Sequence, residues 1–147
     1  MAAPLVVYTA GVFDMFHIGH LNLLRSARGM GDRLIVAVST DEVVESYKPG
    51  QLVMPYSHRF EIVSAIRYVD VCIPQKNRDK MDAWRKLKFD ILAIGDDWFG
   101  RPDYVAYEAE LAAVGVKVVY IPYTDRVSST CLKAIVGSGA PGADERG

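Results

Sequence analysis

The sequence predicts an α/β fold in which five parallel strands form a single sheet. Apolar runs rich in Val, Ile and Leu, typical of strands buried on both faces, alternate with helical patterns along the chain. The 147 residues, half of them apolar, suffice for one domain with its own core. Alternation of this kind produces a Rossmann-like, doubly wound sheet with helices on both faces.

The elements can be assigned in chain order from these runs. The predicted strands are 5–9, 34–38, 69–73, 90–94 and 116–121, and the predicted helices are 18–30, 57–67, 79–88, 103–114 and 129–136. Residues 47–55 hold two prolines and a glycine, which predicts a long loop after the second strand, and such loops are often functional lids. We expect one domain over 1–136 and a flexible tail over 137–147.

Charge and composition exclude several classes of protein. With 17 basic and 18 acidic residues, the chain lacks the basic surplus that nucleic-acid binding needs. No apolar run approaches the ~18 residues of a membrane span, and the N-terminus lacks the basic region of a signal peptide. Cys72 and Cys131 stand apart in apolar surroundings, as reduced thiols do. We therefore expect a cytoplasmic protein with no nucleic-acid or membrane partner.

The segment 11–20, GVFDMFHIGH, holds the highest concentration of residues suited to catalysis or ligand binding. It lies at a strand-to-helix turn, where open α/β sheets bind ligands and a helix N-terminus suits phosphate. His17 and His20 share one face of the first helical turn, and Gly19 lets a phosphate chain approach the backbone. Their N–H groups could stabilise charge on a triphosphate. Zinc ligation lacks a supporting carboxylate pattern, and two of the three histidines in one turn argue against ordinary core or surface roles.

Four loops are predicted to meet this turn at the carboxyl edge of the sheet. They are the loop carrying Lys48 and the segments 74–78, 95–98 and 123–130. Each also admits a structural interpretation: Lys48 as a solvated lysine, the two aspartates of 95–98 as turn residues, and the hydroxyls of 128–130 as a helix cap. Arg67 and Asp70 are a candidate ion pair beside the third strand.

Four motifs together resemble the H-x-G-H nucleotidylyltransferase superfamily. After His17 and His20, the segments RYVD at 67–70, GDDW at 95–98 and VSST at 127–130 follow in the order and spacing of small cytidylyltransferases. The similarity covers roughly residues 4–136 and is greatest to the bacterial enzymes that act on glycerol 3-phosphate. H-x-G-H alone indicates only the superfamily, whereas the four motifs together are much more specific.

The resemblance implies transfer of CMP from CTP to a small phospho-alcohol such as glycerol 3-phosphate, or a related phosphate or phosphonate, with release of pyrophosphate. It implies catalytic roles for His17, His20 and Lys48, and places Asp14, Lys48 and Arg78 at the acceptor. Mg²⁺ would bind mainly through the nucleotide phosphates, without dedicated protein ligands. A homodimer is implied, with Arg67 at its interface. The implied nucleotide contacts are Thr9, Gly11, Val12, Phe13, Gly19, Arg67, Asp96, Asp97, Tyr123, Arg126, Val127, Ser129 and Thr130.

Three positions depart from the family pattern. Tyr123 stands where relatives have arginine, and Arg126 where they have glycine. Arg78 replaces an aromatic residue that packs on the acceptor, and a guanidinium favours a neutral polyol phosphate or an acceptor with an extra anionic group over phosphocholine. Two other functions stay open: an adenylyltransferase of the same superfamily, such as an FMN adenylyltransferase, and a nucleotide-binding module without turnover.

Overall fold

A computed structural model describes residues 3–122, and over that range it confirms the predicted fold class. Every strand pairing is parallel, and the sheet order is β3-β2-β1-β4-β5. The strands are β1 (Val6–Gly11), β2 (Arg33–Ser39), β3 (Val71–Gln75), β4 (Ile91–Gly95) and β5 (Lys117–Ile121). Because the order reverses between β1 and β4, a crevice opens beyond their carboxyl ends.

Helices cover both faces of the sheet. They are α1 (Ile18–Arg28), α2 (Asp41–Tyr47), α3 (Tyr56–Ser64), α4 (Lys80–Leu87) and α5 (Pro102–Ala113), with a 3₁₀ turn at Asp96–Trp98. Successive residues of β1 enter opposite cores, as the pleat requires. Val7 packs with Leu24 of α1 on one face, and Tyr8 packs with Leu111 of α5 on the other.

The helix α2 was missed by the sequence analysis, which predicts only a long loop after the second strand. Thr40 caps this helix, since its side chain accepts the Val43 N–H at 3.3 Å, and two acidic residues occupy the first turn. At seven residues α2 is too short to display a helical period in the sequence. The irregular part of the segment is therefore confined to residues 48–55.

The third strand begins two residues later than predicted. The Val69 N–H donates to Ile66 in a turn, and the Asp70 carboxylate accepts the Leu34 N–H at 2.7 Å, so pairing starts at Val71. Pro74 is tolerated within β3 because the strand lies at the sheet edge. The predicted helix 129–136, the predicted tail 137–147 and Cys131 lie outside the described residues.

Candidate active site

A cleft of about 250 Å³ lies at the carboxyl ends of the strands. Its walls come from the β1–α1 loop, the end of β2, the loop after α2, the loop after β3 and the 3₁₀ turn. The predicted site residues that line it are Thr9, Gly11, Val12, Phe13, Asp14, His17, Gly19, His20, Lys48, Arg78 and Asp97. The structure thus brings both histidines, the lysine and the arginine to one cavity.

The two histidines are fixed by main-chain hydrogen bonds at the start of α1. His17 is the N-cap, and its Nδ1 accepts the Gly19 N–H at 3.0 Å. His20 Nδ1 accepts the His17 N–H at 3.1 Å, and the two rings stack with centroids 3.9 Å apart. Because both Nδ1 atoms are acceptors, the proton of each neutral imidazole resides on Nε2.

Burial keeps both imidazoles neutral. It lowers the pKa of His17, and burial followed by the neighbouring His17 lowers the pKa of His20 to about 3, against an opposing effect of Asp14. The His17 Nε2 atom is buried and has no hydrogen-bond partner within residues 3–122. An unpaired buried donor costs about 1–3 kcal/mol, which a ligand oxygen can recover.

The β1–α1 loop that carries this site is strained and tightly packed. Phe13 and Met15 adopt left-handed backbone conformations, with φ of 55° and 51°. Each costs on the order of 1–3 kcal/mol for a residue other than glycine, and such strain clusters at functional sites. Phe13 is buried and contacts the rings of Phe16 and His20, so packing maintains the conformation.

Asp14 holds the loop after α2 against the cleft. Its buried carboxylate accepts the N–H groups of Val53 and Met54, each at 2.9 Å. These bonds anchor the far end of the segment that begins at Lys48. Asp14 also lines the cleft. Its contact with the acceptor, which the resemblance implies, stays a prediction.

Arg59 joins four segments beneath the site, and the sequence analysis did not find it. The side chain is completely buried in α3. Its guanidinium donates to three main-chain carbonyls and one carboxylate at 2.7–3.0 Å, those of Val12, Ser39, Met54 and Asp41. The β1–α1 loop, the end of β2, α2 and the loop of residues 48–55 are thereby tied to one group. No local sequence signal marks an arginine for such burial.

A second buried cation, Lys80, was also not predicted. It is 5% exposed at the start of α4 and lines the cleft. Its Nζ donates to Gln75 Oε1 at 3.0 Å, and Gln75 Nε2 donates to Ser39 Oγ at 2.7 Å. Beside it, the Arg78 guanidinium lies over the Tyr47 ring, 3.9 Å from its centroid.

Of the other predicted nucleotide contacts, Asp97 lines the cleft, whereas Asp96 and Arg67 do not. Asp96 and Asp97 are both exposed, but only Asp97 lines the cleft, where partial burial raises its pKa against the opposing effects of a main-chain hydrogen bond, Lys48 and Arg101. Arg67 is exposed, away from the cleft, and donates to the Tyr68 hydroxyl at 3.2 Å.

The candidate ion pair between Arg67 and Asp70 is not formed, because Asp70 pairs with Arg28 at 3.0 Å. The predicted residues of the last motif lie outside the described residues: Tyr123, Arg126, Val127, Ser129 and Thr130.

The sheet order, the cleft and the paired imidazoles at a helix N-terminus define a nucleotide-binding α/β protein of the nucleotidyltransferase type. More particularly, the chain belongs to the cytidylyltransferase-like family, whose sequence model matches residues 8–135. This finding confirms the resemblance and the expected enzyme class.

Individual relatives agree with the family assignment. The chain is 40% identical to the glycerol-3-phosphate cytidylyltransferase of Bacillus subtilis (strain 168), over 86% of this chain and 93% of that protein. It is 36% identical to the FAD synthase of Thermococcus kodakarensis, over 80% and 79%. Its fold is similar to a solved lipopolysaccharide core biosynthesis protein from Thermoplasma volcanium GSS1, with TM-score 0.68 and 24% identity over 83% of this chain and 98% of that one.

Proposed function

We propose that this enzyme transfers CMP from CTP to a phosphate or phosphonate oxygen of a small acceptor such as glycerol 3-phosphate, releasing pyrophosphate. The observation that carries the proposal is the neutral imidazole pair, which lines the cleft at a helix N-terminus with each Nδ1 held by a main-chain N–H, so that Nε2 is the donor left for a ligand. The acceptor oxygen is already anionic, so no protein nucleophile is needed. Catalysis is then in-line positioning and charge stabilisation at the α-phosphate.

The proposed roles follow from the positions in the cleft. His17 and His20 hold the triphosphate, and Lys48 neutralises charge between the donor and acceptor phosphates. Mg²⁺ would come bound to the nucleotide phosphates. Within residues 3–122, no group of three or more His, Cys, Asp or Glu side chains could hold a metal ion. The nucleotide roles of Arg67, Asp96 and the residues beyond 122 are carried by the resemblance.

We propose a cytoplasmic location, which rests on the thiol of Cys72. No helix among the described residues is both long and apolar enough to cross a bilayer. Cys72 is a free thiol, which suits a reducing compartment such as the cytoplasm.

Pyrophosphate release with CTP or ATP and a panel of small phosphate acceptors tests the reaction. We expect acceptor-dependent release with CTP at least tenfold faster than with ATP. A preference for ATP would instead favour the adenylyltransferase alternative. The similarity to an FAD synthase is the observation that supports this alternative. Nucleotide binding without release with any acceptor would indicate a binding module and contradict the proposal.

We also propose a homodimer, as the resemblance implies, with the exposed Arg67 near its interface. Light scattering at micromolar concentration is expected to give twice the 16.3 kDa chain mass. A monomer under these conditions would count against the proposal.

A further inference from the structure

Two cations at one end of the cleft, Lys80 and Arg78, form no ion pair with a carboxylate of the described residues. Lys80 is almost fully buried, yet its Nζ donates a hydrogen bond to a neutral amide, that of Gln75. Burying a charge without an ion-pair partner is costly, and proteins normally pair such groups. The missing negative charge can therefore be supplied by what enters the cleft.

Lys80 and Arg78 line the same cleft, and the charge of Arg78 affects the pKa of Lys80. Burial and then the positive charge of Arg78 lower the pKa of Lys80 to about 8, and the raising effect of Asp79 and Asp103 does not offset this. The ammonium form still predominates at pH 7. Both side chains line the cleft, so their charges face a space that a ligand can occupy.

This cationic end is separate from the imidazole pair. α1 packs through Leu24 into the core on one face of the sheet, whereas α4 packs through Met81 and Trp84 into the core on the other. The N-termini of α1 and α4 therefore approach the cleft from opposite faces. A triphosphate on His17 and His20 leaves the Lys80 end for the acceptor.

The geometry points to an acceptor that carries a second anionic group, in addition to the phosphate or phosphonate that attacks CTP, with Lys80 and Arg78 binding this second group. The inference rests on the proposed function, in which Lys48 meets the attacking phosphate. The Arg78 Cζ atom lies 3.9 Å from the centroid of the Tyr47 ring, over its face, and 5.7 Å from the centroid of the Trp98 ring. Stacking uses the face of the group, and the N–H edge suits a carboxylate or phosphate.

Two pairs of acceptors that differ mainly in one charge test the inference. The first pair is glycerol 3-phosphate and 3-phosphoglycerate, and the second is ethylene glycol phosphate and 2-phosphoglycolate. With CTP, we expect kcat/KM to be at least tenfold higher for the carboxylate member of at least one pair. Phosphocholine is expected to be at least 100-fold poorer than that acceptor, because its cation would meet Lys80 and Arg78.

Two variants test whether Lys80 and Arg78 cause the preference for an acceptor with a second anionic group. Lys80→Met and Arg78→Gln should each reduce the carboxylate-to-alcohol ratio of kcat/KM at least tenfold. The matched control Lys86→Met, at an exposed position of the same helix, should keep the wild-type ratio. If Lys80→Met does not fold, the ratio in Arg78→Gln decides.

The outcomes separate this inference from the proposed function. Turnover of glycerol 3-phosphate with the alcohol preferred in both pairs, or an unchanged ratio in both variants, overturns the second anionic group alone. Efficient use of phosphocholine by the wild-type enzyme does the same. No pyrophosphate release from CTP with any acceptor overturns the proposed function as well.

Discussion

Replacing His17 or His20 with alanine is expected to lower kcat by about 10²-fold or more. Each substitution removes an Nε2 donor that the main chain holds in place through Nδ1. The neutral state of the rings means that these donors are present throughout the neutral pH range. Steady-state pyrophosphate release measures the effect.

Two further variants separate catalysis from helix capping. Loss of the His17 cap alone costs about 0.5–2 kcal/mol of stability. His17→Asn replaces the capping Nδ1 with a side-chain oxygen that can accept the same N–H but lacks the Nε2 donor, so kcat should still fall while the thermal midpoint stays near that of the wild type. His58→Ala, at the exposed third histidine on α3, should change neither. Near-normal turnover in the His17→Ala or His20→Ala variant would contradict the assigned role.

Replacing Arg59 with methionine is expected to have the largest effect on stability. The variant leaves the Asp41 carboxylate and three carbonyls without their guanidinium donor. Each main-chain carbonyl left without a buried donor costs about 1–3 kcal/mol, whereas the Asp41 side chain is 43% exposed and can be solvated by water. The loss from the three carbonyls together is a large part of the stability of a single domain. The thermal midpoint should fall by about 10 °C. kcat should also fall, because the β1–α1 loop and the loop of residues 48–55 lose their common anchor.

Arg85→Met provides the matched control for this substitution. Arg85 is exposed in the last turn of α4, so the same change of side chain there should shift the midpoint by no more than about 1–2 °C. Arg59→Lys keeps the charge but not the planar set of donors, and should lie between Arg59→Met and the wild type. An Arg59→Met protein as stable as the control would show that the four bonds contribute little.

The fold could be predicted because its signals are local and repeated. The apolar runs of β2 and β4 lie within one or two residues of their predicted positions. The failures occurred where a boundary depends on distant contacts. The start of β3 depends on the hydrogen bond from Leu34 to Asp70, and α2 depends on a cap and on the burial of Val43 and Val44 rather than on a period.

The same distinction separates the site residues. His17 and His20 could be found because the capping bonds that fix them lie within one helical turn. Arg59 could not be found, because its partners lie between 5 and 47 residues away in the chain. Lys80 escaped for a related reason, since lysine is normally exposed and the burial of this one depends on how α4 meets the end of β3.

The bonding of Arg59 has a consequence for how such an enzyme can diversify. Three of its four acceptors are peptide carbonyls, which every amino acid carries, so substitutions at Val12, Ser39 or Met54 do not remove the acceptor atoms. Mutation can therefore alter the side chains around the cleft, and with them the choice of substrate, while the framework beneath persists. Changes in substrate preference are therefore partly independent of the stability of the fold.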